Sequence, residues 1–406
     1  QVLYNGKAGL IDLDLNQQQK VLNSYGYPMG LADYSAFILG GLPKQGQMLE
    51  EVKDLLLNEI KKLRAGEFDE KMLQANINNF KLYELQSMES NEGRADIFVN
   101  SFINGTNWED EVTAIDRMAK LTKEDIVAFA DKYLKEDNYA VVYKKQGKDP
   151  NEKKMTKPEI TPIVSNRDVA SPFLTSIQEN AVKPIEPVFL DFKKDMSQLT
   201  AKSDIPVLYK QNTTNDLFQL IYVFDMGNNN DKALGTAFDY LEYLGTSDMT
   251  PEELKSEFYR LACTFYVSPG NERTYVVLSG LNENMPAAMQ LFEKLLADAQ
   301  VNKEAYDNLV GDILKARADA KLNQGQNFSR LMNYAMYGPK SPATNLLTEA
   351  ELASMNPQEL VDRIHNQNNY KHRILYYGPS SSKDLLATID QYHQVPATLK
   401  DIPAGN

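Results

Sequence analysis

Three histidines, His365, His372 and His393, are the whole imidazole complement of the 406-residue chain, and they bound the metal chemistry it could carry. A catalytic zinc needs about three protein ligands converging on one point. No His/Glu spacing here supplies them: His365 and His372 flank an Asn-rich turn, and His393 lies in the tail. Cys263 is the single cysteine, so it forms no internal disulfide and reads as a small buried apolar residue. Glu252, Glu253 and Glu257 gather after Pro251 like a cation site. Thr250 as N-cap, Pro251 at the first helical position and Glu253 closing a capping box account for them structurally. An acidic first turn followed by Lys255 and Arg260 is the order the helix dipole favours, which makes a solvated face. Ser329 and Ser354 lack any Gly-x-Ser-x-Gly or His-Asp context, so nucleophilic catalysis is not supported. Gly26, Gly30, Gly40, Gly41 and Gly46 form no phosphate-binding pattern and read as turns.

The elements that would position a site are those of two domains, on a prior of roughly 100–200 residues each. Hydrophobic residues make up 42% of the chain and charged residues 24%, as in an ordinary globular protein, and no apolar run reaches the length of a membrane span. A formal net charge of -13 repels nucleic acid over most of the surface, which makes it a poor partner. No targeting segment is visible at Gln1, and the chain reads as cut from something longer. The compartment expected for it is the bacterial periplasm or cell envelope.

Internal repetition is the informative pattern. The strand Ser35–Leu42, the helix Leu49–Leu63 and the long helical run from Gly66 are matched by the strand Tyr275–Leu281, the helix Pro286–Ala297 and the run from Ala299, roughly 233 residues on. Thr122 and Asn356 stand as N-caps of a following helix in each copy. Each copy then closes on a strand, Tyr139–Tyr143 and Arg373–Tyr377. The order predicts an α+β fold of two homologous domains, each an antiparallel, mixed-edge sheet packed against helices. Residues 1–145 form an incomplete first copy and 206–390 the fuller second one. Between them, 146–205 carries Pro150, Pro158, Pro162, Pro172, Pro184 and Pro187 and reads as a strap, in which Pro187–Phe192 is an apolar patch expected to pack one domain on the other. Residues 391–406 read as a linker stub.

The run Leu208–Asn215, the strand Phe218–Phe224, the helix Gly235–Thr246 ending in Gly-Thr, and Leu254–Leu261 followed by Cys263–Ser268 resemble the opening of a domain of the pitrilysin, insulysin and mitochondrial processing peptidase family. The whole chain resembles the larger part of a second domain, the strap and a nearly complete third domain of a four-domain parent with a LuxS/processing-peptidase-like metallopeptidase fold. In active members the motif helix carries His-x-x-Glu-His. Counting back from Gly245-Thr246, those positions fall here on Thr236, Asp239 and Tyr240, with Asp312 near the third-ligand region. The resemblance thus implies a zinc-bearing, clamshell parent, but no cofactor and no cleavage in this chain. It further implies a peptide exosite at Ser24, Tyr25, Gly26 and Tyr27, where a substrate would add a strand to an edge. The implied partners are peptides and the remaining domains of the same parent, or an active homologous subunit where the parent itself is catalytically dead.

Overall fold

The computed structural model describes residues 1–31, 33–148, 155–163, 165 and 167–405, with Lys340 and Pro342 described by backbone alone. Pro150 and Asn406 lie outside the described residues. The chain divides into two compact units, Gln1–Tyr139 with Met196–Asn406, and Ala140–Asp195.

In the first half of the larger unit, a π-helical turn Asp12–Gln17 buries Leu15 and stands beside a hairpin of β1 (Asn23–Gly30) and β2 (Ser35–Leu42). The strands pair antiparallel, Asn23 opposite Leu42 and Gly30 opposite Ser35. α1 (Leu49–Ala65) places Val52, Leu56 and Leu63 on one apolar stripe and stops at Gly66, whose φ of 71° closes the helix. With Val2, Leu3, Ile11 and Leu15 that stripe forms a small core. α2 (Lys71–Ser87), α3 (Asn91–Asn104), α4 (Trp108–Val112), α5 (Ala114–Met118) and α6 (Lys123–Tyr133) follow. Thr122 caps α6 in a capping box with Asp125. Gly26, Gly30, Gly40 and Gly41, expected in turns, lie instead within the two strands. A Cβ on Gly40 would strike the Tyr25 ring and one on Gly41 would meet Val52 Cγ1 at 2.4 Å, so close packing, not turning, requires them.

The expected closing strand Tyr139–Tyr143 is not one: these residues are irregular. Alternating apolar residues become a strand only where a ladder is on offer, and among the described residues none pairs with them. Within Ala140–Asp195 the described residues form one helix, α7 (Pro172–Gln178), capped by Ser171. The patch Pro187–Phe192, expected to pack, has Val188, Phe189 and Phe192 exposed.

The second half supplies β3 (Ser197–Ala201), β4 (Ile205–Gln211), β5 (Leu217–Phe224), α8 (Leu234–Leu241), α9 (Pro251–Arg260), β6 (Cys263–Pro269) and β7 (Thr274–Leu281). It continues with α10 (Met285–Asp298), α11 (Lys303–Lys321), α12 (Gln324–Tyr337), α13 (Glu349–Ser354), α14 (Gln358–Asn366), β8 (Arg373–Gly378) and α15 (Ser382–Tyr392). The sheet runs β3-β4-β8-β5-β7-β6, antiparallel except for the parallel pair β4 and β8. Period-two burial on β4 (Ile205, Val207, Tyr209) and on β5 (Phe218, Leu220, Tyr222, Phe224) turns one face to the main core, where α8, α10, α14 and α15 contribute Phe238, Leu241, Phe292, Ile364 and Ile389. The fold is α+β, a mixed sheet covered by helices.

Two sequence boundaries shift. β3 lies inside the span read as a strap, yet it pairs with β4 in the sheet. Residues 391–405, read as a loose stub, are docked: His393 is fully buried, and Val395, Leu399 and Ile402 pack on the core. α14 starts at Gln358 with Pro357 as N-cap, one residue beyond the expected Asn356, whose side chain accepts from the Gln358 N–H at 3.1 Å.

The two halves exchange contacts. The buried Tyr259 hydroxyl on α9 meets Asn76 Oδ1 on α2 at 2.6 Å, and Asn79 Nδ2 donates to Tyr259 O at 2.8 Å. In the other direction Gln17 donates to Glu242 O and Gln19 to Ala305 O.

Candidate functional site

α8 is helical because Leu234, Ala237, Phe238 and Leu241 recur at i, i+3, i+4 and i+7 and are all buried. Asn228 Oδ1 accepts from the Gly235 N–H and fixes the helix start. The helix ends at Leu241, earlier than the expected Thr246. Gly245 lies beyond it in a tight approach where a Cβ would sit 2.4 Å from Met249 O, so the chain turns away there.

The three positions singled out on α8 do not converge. Thr236 is half-buried and Asp239 is exposed, while Tyr240 is wholly buried. The Asp239 carboxyl lies above its usual range, first through desolvation under neighbouring side chains and second through the charge of Glu242, although the residue keeps an open face. Tyr240 points away from any common centre: its hydroxyl donates to Asn302 O at 2.6 Å and accepts from Asn302 N–H at 2.9 Å. Asn302 is the N-cap of α11, so Tyr240 ties α8 to that helix start. Desolvation raises its pKa. Asp312, on α11, faces Lys44 at 3.9 Å instead. Among the described residues no group of three or more His, Cys, Asp or Glu is arranged to hold a metal ion. A hydroxyl committed to a helix cap, a threonine and an outward carboxylate do not fit zinc.

Ser24, Tyr25, Gly26 and Tyr27 do lie together on β1. The Leu31 N–H donates to Tyr34 O, which phases the ladder so that odd-numbered residues of β1 bond to β2 and Ser24, Gly26, Pro28 and Gly30 turn their backbone groups outward. At Ser24 that edge is already filled: Asn16 accepts from its N–H and donates to its carbonyl, both at 2.8 Å. Pro28 brings no N–H. Gly26, the next outward position, is itself buried beside Leu39 and Tyr4, so what the expected exosite presents is Tyr25 and Tyr27, two exposed rings stacked at 6.2 Å.

A buried polar cluster escaped the sequence reading. Glu293 on α10, 1% exposed, receives Tyr222 OH on Oε1 at 3.0 Å and both Asn368 Nδ2 and the Gln394 N–H on Oε2 at 3.0 Å. His393 Nδ1 lies 2.6 Å from Oε1, and His393 Nε2 lies 2.9 Å from His372 Nε2. His372 Nδ1 completes the chain at 2.7 Å from Tyr370 O. Burial, then the proximity of His393, hold the His372 imidazole down at about 4. Burial and Glu293 push the Tyr222 phenol well up, so it remains a donor. Tyr222 lies 71 positions before Glu293 and His393 100 positions after it, separations that no local motif reveals. The available signal was Glu293 itself, a carboxylate set beside Met289, Phe292 and Leu296 on the apolar face of an amphipathic helix.

No family model matches this chain, and no curated protein matches it. Solved structures do. The chain is similar to the periplasmic protease PqqL from Escherichia coli (12% identity, TM-score 0.47), covering 97% of this chain and 46% of that one. It is similar to a peptidase M16 inactive domain from Pseudomonas fluorescens (16% identity, TM-score 0.45), covering 52% of this chain and 54% of that one. It is also similar to the ferredoxin protease FusC, solved with Arabidopsis ferredoxin (11% identity, TM-score 0.45), covering 97% of this chain and 47% of that one. The chain thus spans about half the length of these solved chains.

Proposed function

We propose that the chain is a non-catalytic portion of a pitrilysin/insulysin-type zinc metallopeptidase, forming chamber wall rather than active site. The observation that carries this reading is α8. In the order of elements it matches the motif helix that the resemblance implies, it buries an apolar stripe, and the implied ligand positions hold Thr236, Asp239 and Tyr240. Tyr240 is spent on the α11 cap. Zinc, in this reading, belongs to the parent and is held by residues outside this chain. Residues 1–139 act as the incomplete second domain and 196–405, with β3 and the docked tail, as the third, in a periplasmic or envelope peptidase.

Peptides are the proposed ligand class, held at Ser24 to Tyr27 by strand addition. The exposed, stacked Tyr25 and Tyr27 rings support that surface. The proposed macromolecular partners are the remaining domains of the parent or an active homologous subunit. α12 supports this, because Phe328, Leu331 and Met332 form an exposed stripe on a helix with no buried residue.

Elemental analysis of the purified chain and a peptide-cleavage assay test the reading together. The expected result is no stoichiometric zinc and no chelator-sensitive cleavage. One bound zinc per chain with cleavage abolished by chelator would overturn it.

A further inference from the structure

The Glu293–His393–His372 chain has one consistent set of protons. Tyr370 O can only accept, so His372 Nδ1 carries hydrogen. His372 is neutral at neutral pH, which leaves its Nε2 as an acceptor and makes His393 Nε2 the donor between the rings. Tyr222, Asn368 and Gln394 already donate to Glu293, the pattern a carboxylate demands. His393 Nδ1 completes the chain at 2.6 Å from Glu293 Oε1, so His393 is wedged between the Glu293 carboxyl and the neutral His372 imidazole.

We propose that the His372–His393 contact is an acid-released latch holding residues 393–405 against the second-half core. A proton on His372 Nε2 would face the His393 Nε2–H across 2.9 Å, two donors with no acceptor between them. The contact cannot survive that, and His393 must leave its buried site, taking the Gln394 N–H away from Glu293. Beyond His393 the segment is held by the partly buried Val395, Leu399 and Ile402, by Ser203 Oγ to Pro396 O and Asn230 Nδ2 to Pro403 O, by the Lys371–Asp401 pair and by the strand-like exchange of Lys371 and Asn369 with Lys400, none of them as deeply buried as the His372–His393 contact. The charged and titratable groups flanking His372 in the chain and in the cluster are committed. Glu293 and Tyr222 belong to the cluster, Lys371 pairs with Asp401, and Arg373 pairs with Asp225; Phe224 covers the ring at 4.7 Å.

Hydrogen exchange read by mass spectrometry on the full chain between pH 7 and 4.5 tests this. Corrected for intrinsic rates, exchange in residues 393–402 should rise about tenfold per pH unit below 6.5 while β5 and β7 stay protected. His372→Gln, which keeps a donor and an acceptor but cannot titrate in this range, should flatten the dependence. A flat profile in the unmodified chain, the same rise in His372→Gln, or simultaneous opening of β5 and β7 would each overturn the latch. If His372→Gln does not fold, nitrogen-15 histidine NMR of the unmodified chain decides. His372 titrating near an ordinary imidazole while the tail stays protected contradicts the proposal, and titration in step with tail release upholds it.

Discussion

Tyr259→Phe is the sharpest test of whether the two repeat copies form one cooperative body. The Tyr259 hydroxyl donates to Asn76 Oδ1 at 2.6 Å, with Tyr259 1% and Asn76 6% exposed. Removing the hydroxyl leaves the amide oxygen buried without its donor, a cost of about 1–3 kcal/mol. Asn79→Ala, one turn away, is expected to cost less although it deletes two bonds, to Ala75 O and Tyr259 O. Asn79 Oδ1 is itself buried without a partner, so truncation also relieves that penalty. The double change Tyr259→Phe with Asn76→Leu should recover most of the loss, because both polar partners vanish together. Urea unfolding can be followed by the fluorescence of Trp108, the single tryptophan, which sits in the first half, and by far-UV circular dichroism over both halves. One unit requires coincident transitions that Tyr259→Phe shifts together. With a urea m-value of at least ~3 kcal/mol/M for a chain of this size, ~2 kcal/mol moves the midpoint by up to ~0.7 M. A Trp108 transition that stays in place while the dichroism midpoint moves would refute the coupling.

Other expectations follow from the same contacts. The folded pKa of His372, about 4, is depressed below the ordinary imidazole value of 6.5, so an unfolded chain binds a proton that the folded chain refuses. Stability from this residue is therefore complete above pH 6.5 and falls by ~1.4 kcal/mol per unit toward pH 4, a slope that His372→Gln should remove in pH-dependent denaturation. Tyr240→Phe deletes both bonds to Asn302 and should cost about 1–2 kcal/mol in urea unfolding. Tyr240→His should lower stability further and still recruit no zinc by elemental analysis. Replacing Tyr27 by Ala should weaken retention of extended peptides in a binding titration by several-fold while leaving the midpoint of unfolding nearly unchanged, whereas adding Tyr25→Ala, which strips the ring packed on Gly40, should lower the midpoint as well. Equal retention by the double variant would remove the exosite from the reading.

Local physics made much of the fold legible. The capping boxes at Thr122 and Thr250 announce α6 and α9, and the i, i+3, i+4, i+7 stripe of α8 and the period-two strands β4 and β5 need no tertiary knowledge. What failed was everything set by a partner distant in sequence. Tyr139–Tyr143 has strand chemistry but no ladder among the described residues. Gly40 and Gly41 look like punctuation and are packing sites. His372 and His393 appeared stranded because Glu293 and Tyr222, which bring them together, come from α10 and β5, 71 positions apart.

Tyr240 explains what holds α8 in its place in the fold. Its ring sits edge-on to Tyr306 at 5.8 Å, and its hydroxyl closes the start of α11 with two bonds. That start is further fixed by Asn302 Oδ1, which accepts from the Ala305 N–H. Tyr240 is thus the side chain that holds α8 and α11 in register, and any residue without its hydroxyl gives up both bonds to Asn302.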